Sequence, residues 1–314
     1  PILATIGGMA GPALLYLAGV HAFGPEQLSR GWAVPVATDI AFSYMIARAI
    51  FGSGHPAIPF LLLLAIADDA GGLLILAIFY PKNEPQLAWL LLSVGAVILG
   101  LLFRRLRLHS FWWYLLIPGI LSWYSFYQAH LHPALGLVPI IPTLPHARSD
   151  LGIFARQELG RNDTLNEFER WWKNPVELIL GLFGLVNAGV AIGSHGNGTW
   201  LVMAGLLIGK PLGITLLTLL GTRLLGLQMS SGMSMRDVVV VGIVAGFGFT
   251  VALFVSAVAF DSPAHAEYLS QVKLGALGSC LSAVLAFAAA KVLRIRKQTV
   301  SMPPPVPTAM STST

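Results

Sequence analysis

The chain has 314 residues, 55% of them hydrophobic and only 11% charged, with a formal net charge of +5 and a mean hydropathy of +0.74. Soluble domains carry about 25% charged residues, so a water-soluble fold cannot hide this much apolar surface, and lipid must be the solvent for most of the chain. The positive charge is not patterned for nucleic acid: Lys and Arg sit in short loops between apolar stretches, which is how membrane topology is encoded.

A bilayer core requires about 20 apolar residues per helix. That ruler predicts ten spans, near 2–22, 33–51, 57–80, 87–103, 111–128, 130–144, 174–193, 199–220, 237–260 and 268–292. Pro1 already lies in an apolar stretch, so the natural start is expected upstream. The sixth span is short and carries Pro133, Pro139 and Pro142, which predicts a broken helix. Between Pro145 and Pro175 runs the one sizeable polar segment, and its end, Leu165 to Trp172, reads as an interfacial helix with paired tryptophans at headgroup depth. The tail from Ser301 is rich in Pro, Ser and Thr and predicts disorder. The single cysteine, Cys280, excludes an intrachain disulfide and reads as a small core residue.

Orientation follows from the basic residues. Arg48, Arg104, Arg105, Arg107, the group from Arg148 to Lys173, Arg223, Arg236 and the group Lys291, Arg294, Arg296 and Lys297 fall on one set of loops, against Arg30 and Lys82 on the other. The positive-inside rule places both chain ends and the long polar loop in the cytoplasm.

Of the 14 acidic residues, three lie within spans: Asp39, Asp68 and Asp69. A carboxylate at mid-membrane costs about 2.5–3.5 kcal/mol on insertion scales and usually marks function; the plain alternative is a neutralised acid that holds helices together. Asp68 and Asp69 are adjacent on a helix and so point about 100° apart. One can meet a neighbouring helix while the other opens onto a cavity. Ala65, Ala67, Ala70, Gly71 and Gly72 leave room for an ion, and carboxylate oxygens suit a hard cation. Asp39 follows Pro35 and Thr38, which together predict an unwound stretch where a carboxylate meets the positive ends of half-helices. Lys210 is mid-span and needs a partner, either Asp68 in an ion pair or a place opposite Asp39. The glycines between Gly242 and Gly248 predict a second interruption, either an extended break or a close crossing. Two interrupted spans, each second in a three-span block, point to inverted repeats around a midplane site. His130 and His132 diverge at this spacing and have no third ligand nearby, which argues against a metal.

Ala37-Thr-Asp-Ile-Ala-Phe, Ala65-Ile-Ala-Asp-Asp-Ala-Gly, Val186-Asn-Ala-Gly-Val, Leu207-Ile-Gly-Lys-Pro-Leu-Gly-Ile and the Gly-Phe-Gly-Phe-Thr run ending at Thr250 resemble the NhaA family of sodium/proton antiporters, in order and spacing over nearly the whole chain. The resemblance implies an all-α polytopic inner-membrane protein of the inverted-repeat transporter type with two interrupted, crossing helices. The three-helix repeats are expected at 1–80 and 199–293, flanking intervening helices at 81–198 with their polar loop at 146–173, and followed by a tail at 294–314. It implies electrogenic, pH-regulated export of Na+ or Li+ against protons, with no cofactor and no enzyme activity. Asp69 would be the main cation ligand, Asp68 its partner and Thr38 nearby; Asp39 and Lys210 would balance the dipoles of the broken helices. His132 matches a position linked to pH response and Glu169 an acid at the cytoplasmic mouth. The family has twelve helices, so the first two, with their dimerising hairpin, are expected upstream, and a homodimer is expected of the full-length parent. Alternatives are a non-transporting fragment of such an antiporter and an intramembrane aspartyl protease, which requires two aspartates face to face.

Overall fold

A computed structural model of the chain describes residues 1–80, 84–145, 164–190, 193 and 195–298, and among these every regular element is helical. The polar segment at 146–163 and the tail from 299 lie outside the described residues. Helix α1 (Ile2–Phe23) is followed by the first interrupted span, in which short 3-10 turns at Glu26–Gly31 and Val34–Val36 lead, through an extended stretch, into α2 (Ile40–Phe51). Next come α3 (Ala57–Phe79), α4 (Leu90–Arg105), α5 (Phe111–Tyr114) and α6 (Ile120–Gln128), then a 3-10 helix at Pro133–Thr143 and α7 (Thr164–Asn187). The remainder is α8 (Asn197–Ala204), α9 (Lys210–Arg223), α10 (Met235–Ala245), α11 (Phe249–Ala259), α12 (Ala266–Gly278) and α13 (Leu281–Val292).

Among the described residues, five continuous helical stretches are long and apolar enough to cross a bilayer, and the two bent pairs, each taken as one span, bring the total to seven. Of the other predicted spans, 111–128 is helical but diluted by Trp, Tyr and Gln, and 130–144 holds only the short 3-10 helix Pro133–Thr143. The interfacial segment from Leu165 is no separate helix: it forms the front of α7, which runs through Pro175 and ends at Asn187, short of 193. Pro175 costs the helix one backbone bond, on its polar front rather than at its apolar end. Asn187 then terminates it by folding its side-chain amide back to Phe183 O at 3.0 Å.

Prolines shape three other stretches. The residues at 133–143 take the tighter 3-10 form, with Pro139 and Pro142 inside it. Wide π-helical turns occupy Leu115–Gly119, which holds Pro118, and Gly205–Gly209, just ahead of Pro211. A proline lacks its N–H and crowds the carbonyl four residues back. Widening the turn relieves both problems, and such turns recur at functional sites; the second one delivers Lys210.

Glycine contacts hold the core together. A Cβ on Gly7 would lie 2.1 Å from Gly213 O, and one on Gly11 would lie 2.4 Å from Gly209 O. Helices α1 and α9 therefore touch backbone to backbone, as membrane helices do where small residues face each other. Leu91, Ile98 and Leu216 are exposed, an arrangement favourable only in lipid.

Candidate ion site

Two bent spans meet at the centre of the fold. The 3-10 turns before Val36 and α2 are inclined by 51°, and α10 and α11 by the same 51°. Their breaks are joined through the backbone: Asp39 N donates to Phe247 O at 2.8 Å. The glycines of the second break serve a close crossing, because a Cβ on Gly246 would lie 2.5 Å from Leu206 O and one on Gly248 3.1 Å from Ala37 O. The extended alternative does not occur; both residues are right-handed helical.

Asp39 caps α2, accepting from Phe42 N at 3.4 Å. Its Oδ2 also accepts from Thr250 N at 3.1 Å and Thr250 Oγ1 at 2.5 Å, at the start of α11. One carboxylate therefore faces the positive ends of two half-helices, where a negative charge is stabilising. Asp39 is thereby committed, which removes the face-to-face aspartates that proteolysis requires. The sequence marks Thr250 only as a hydroxyl one residue inside a helix that starts after a glycine.

Lys210 is fully buried, and its Nζ lies 3.0 Å from Asp68 Oδ2. The ammonium also donates to Val36 O, the last carbonyl of the 3-10 turn before the first break. Of the two partners left open by the sequence, Asp68 is the one found, and the helix end that Lys210 meets belongs to the same broken span. Thr38 Oγ1 donates to Asp68 Oδ2 at 2.9 Å and lies 3.3 Å from Ala245 O.

Asp68 Oδ2 is thus doubly served, whereas Asp68 Oδ1 and Asp69 Oδ1 are buried without a hydrogen-bond partner. Both aspartates line a cavity of about 180 Å³ whose other walls include Ala37, Gly72, Leu76, Val251, Phe254 and Val255. Carboxylate oxygens without donors, beside an apolar cavity of that size, can bind a proton or a hard cation and little else.

The remaining candidates lie farther out. His132 caps the 3-10 helix, its Nδ1 accepting from Ala134 N at 3.4 Å, and its ring meets Phe254, a cavity wall, edge-on at 5.4 Å. His130 is held apart, its Nδ1 3.0 Å from Glu84 O. Glu169 is exposed on α7 and is not brought to the aspartates. Cys280, expected in the core, is exposed at the break between α12 and α13.

Residues 1–290 match the family model described as Na+/H+ antiporter 1. The chain is similar to a protein named Na(+)/H(+) antiporter NhaA from Jannaschia sp. (strain CCS1), 50% identical over 96% of this chain and 76% of the relative. It is 47% identical to Na(+)/H(+) antiporter NhaA 2 of Pelobacter propionicus, over 95% of this chain and 77% of the relative. For Na(+)/H(+) antiporter NhaA of Desulfitobacterium hafniense (strain DSM 10664 / DCB-2) the values are 46%, 95% and 76%. With a matching model across nearly the whole length, broken helices that cross and acids at the crossing, the chain belongs to the Na+/H+ antiporter 1 family of membrane transporters, which exchange sodium for protons and are not enzymes.

Proposed function

We propose that Asp69 is the residue on which Na+ and H+ alternate, that Asp68 completes the cation site, and that Lys210 holds Asp68 when the cation is absent. The observation that carries this reading is the asymmetry between the two acids: Asp68 Oδ2 is taken by Lys210 and Thr38, whereas Asp69 Oδ1 is buried and bare beside the cavity. A carboxylate in that setting is stable neutral with a proton or paired with a cation, not alone.

The count of protons released gives the stoichiometry of this exchange. Before exchange the site holds protonated Asp69 and the Asp68–Lys210 pair. A sodium ion taken up by both carboxylates displaces the proton from Asp69 and separates Asp68 from Lys210, whose surplus proton leaves because the ammonium has lost its counter-ion. Two protons leave for each sodium ion, so exchange is electrogenic. Li+ fits the same oxygen ligands.

The reading extends to the frame. The equal bends support inverted repeats at 1–80 and 199–293, around which a midplane site alternates its exposure. The Lys and Arg distribution supports a bacterial inner-membrane orientation with both ends of this chain cytoplasmic, and the family resemblance supports a homodimer. The contact of His132 with Phe254 supports a link between that histidine and the cavity, and hence a role in pH response. Glu169, exposed on α7, suits the cytoplasmic mouth. The test is sodium-driven proton release in everted vesicles: Asp69→Asn abolishes it under this reading, and full retention refutes the assignment.

A further inference from the structure

We infer that Ser43, Ser279 and Ser282 are positioning residues for exchange, which hold the Gly246–Gly248 break in the register that leaves Thr38 free to serve Asp68. The inference rests on the reading of Asp68 and Asp69 as the exchange site and names residues outside it.

The last carbonyls of a helix have no donors within the helix, and in a membrane interior no bulk water replaces them. At the end of α10 three successive carbonyls receive hydroxyls from three different elements. Ile243 O accepts from Ser282 Oγ at 2.7 Å, Val244 O from Ser43 Oγ at 3.1 Å, and Ala245 O lies 3.3 Å from Thr38 Oγ1. Across the break, Gly248 N donates to Ser279 Oγ at 3.2 Å, and that hydroxyl donates onward to Ala276 O at 2.6 Å. Ser43, Ser279 and Ser282 are all 0% exposed. Ser279 lies in the turn after α12 and Ser282 at the start of α13; one holds each side of the Gly246–Gly248 break.

Thr38 makes this arrangement functional. Its hydroxyl has one proton and two acceptors in reach, Asp68 Oδ2 at 2.9 Å and Ala245 O at 3.3 Å. The shorter contact goes to the carboxylate, the stronger acceptor, while Ser43 and Ser282 tie the end of α10 to α2 and α13. Without its serine, Ile243 O keeps only Gly246 N at 3.1 Å and Val244 O only Phe247 N at 3.1 Å; the end of α10 then loses a tie to a neighbouring helix and shifts, and Thr38 is the hydroxyl within reach of Ala245 O. The helix end then competes with Asp68 for that proton, and the cation site loses a pre-oriented ligand.

The experiment compares Ser43→Ala, Ser282→Ala and Ser43→Thr in everted vesicles over a range of Na+. Ser256→Ala is the control: that serine is as buried, but its hydroxyl bonds within its own helix, to Leu253 O at 2.7 Å. The apparent KM for Na+ is expected to rise about fivefold in both alanine variants at a nearly unchanged maximal rate, the fold-change of one lost neutral hydrogen bond. Ser43→Thr, which keeps the hydroxyl, is expected to restore it. If an alanine variant fails to accumulate, Ser43→Cys and Ser282→Cys supply a weak donor, and an intermediate KM is expected. An unchanged KM in the serine variants, or an equal rise in Ser256→Ala, overturns the inference. Asp69→Asn in the same assay separates the cases: if it abolishes exchange while the serine variants match wild type, only the positioning role falls.

Discussion

Asp68 and Lys210 form an ion pair of 3.0 Å with both side chains sealed from solvent. Such a pair adds little net stability relative to apolar residues, but the loss of one member leaves an uncompensated charge costing about 3–5 kcal/mol. Lys210→Gln and Asp68→Asn are each therefore expected to lower thermal stability in detergent, the first strongly. A double variant, Asp68→Asn with Lys210→Gln, is expected to recover much of the loss, a coupling read directly from a double-mutant cycle.

Asp39 serves two helix ends at once, so its neutralisation should be felt in both. Asp39→Asn keeps the shape but loses the charge facing α2 and α11, worth up to about 2 kcal/mol in a buried geometry. Thr250→Val removes only the hydroxyl donor and leaves the Thr250 N–H in place, so its effect should be the smaller. Thermal unfolding of the two purified variants ranks them.

Helices α1 and α9 meet through glycines with no room for a methyl group: Gly213 would place a Cβ 2.0 Å from Gly7 O. Gly7→Ala and Gly213→Ala are each expected to cost about 1–3 kcal/mol or more through forced backbone separation. Gly95→Ala, where nothing lies within 4 Å, should be neutral. Folded yield and melting temperature of the three variants check this.

His55, in the loop between α2 and α3, is 5% exposed, and its Nδ1 accepts from Ala57 N at 3.1 Å. Burial lowers its proton affinity below the ordinary value of 6.5, against an opposing pull from Asp237. The unfolded chain therefore binds this proton first as the pH falls, so stability is full above about 6.5 and declines below it. His55→Asn, which keeps an acceptor for a backbone amide two residues on, should flatten that part of the melting-temperature profile between pH 8 and pH 5.5.

The acids, the buried lysine and the positions of both breaks were legible in the sequence, because a charge, a proline or a cluster of glycines in an apolar run has few tolerable explanations. The partners of these groups were not. Thr250, Ser43, Ser279 and Ser282 are hydroxyls, cheap enough in a membrane helix to pass as packing, and their partners lie as much as 211 residues away. The fusion of the tryptophan-bearing segment with the seventh span was equally hidden, since Pro175 signals a boundary in sequence while its lost bond costs little on the polar front of α7. Both gaps have one cause: backbone donors and acceptors carry no residue identity.

The most direct test is the apparent affinity of the purified protein for Na+, measured by calorimetry at successive pH values, with protons released on binding followed in weak buffer. Proton and cation competing for the Asp69 carboxylate require the affinity to fall as the pH falls, by up to about tenfold per unit for each proton displaced, with proton release that disappears in Asp69→Asn. An affinity that holds constant across the titration, or sodium binding that releases no protons, contradicts it.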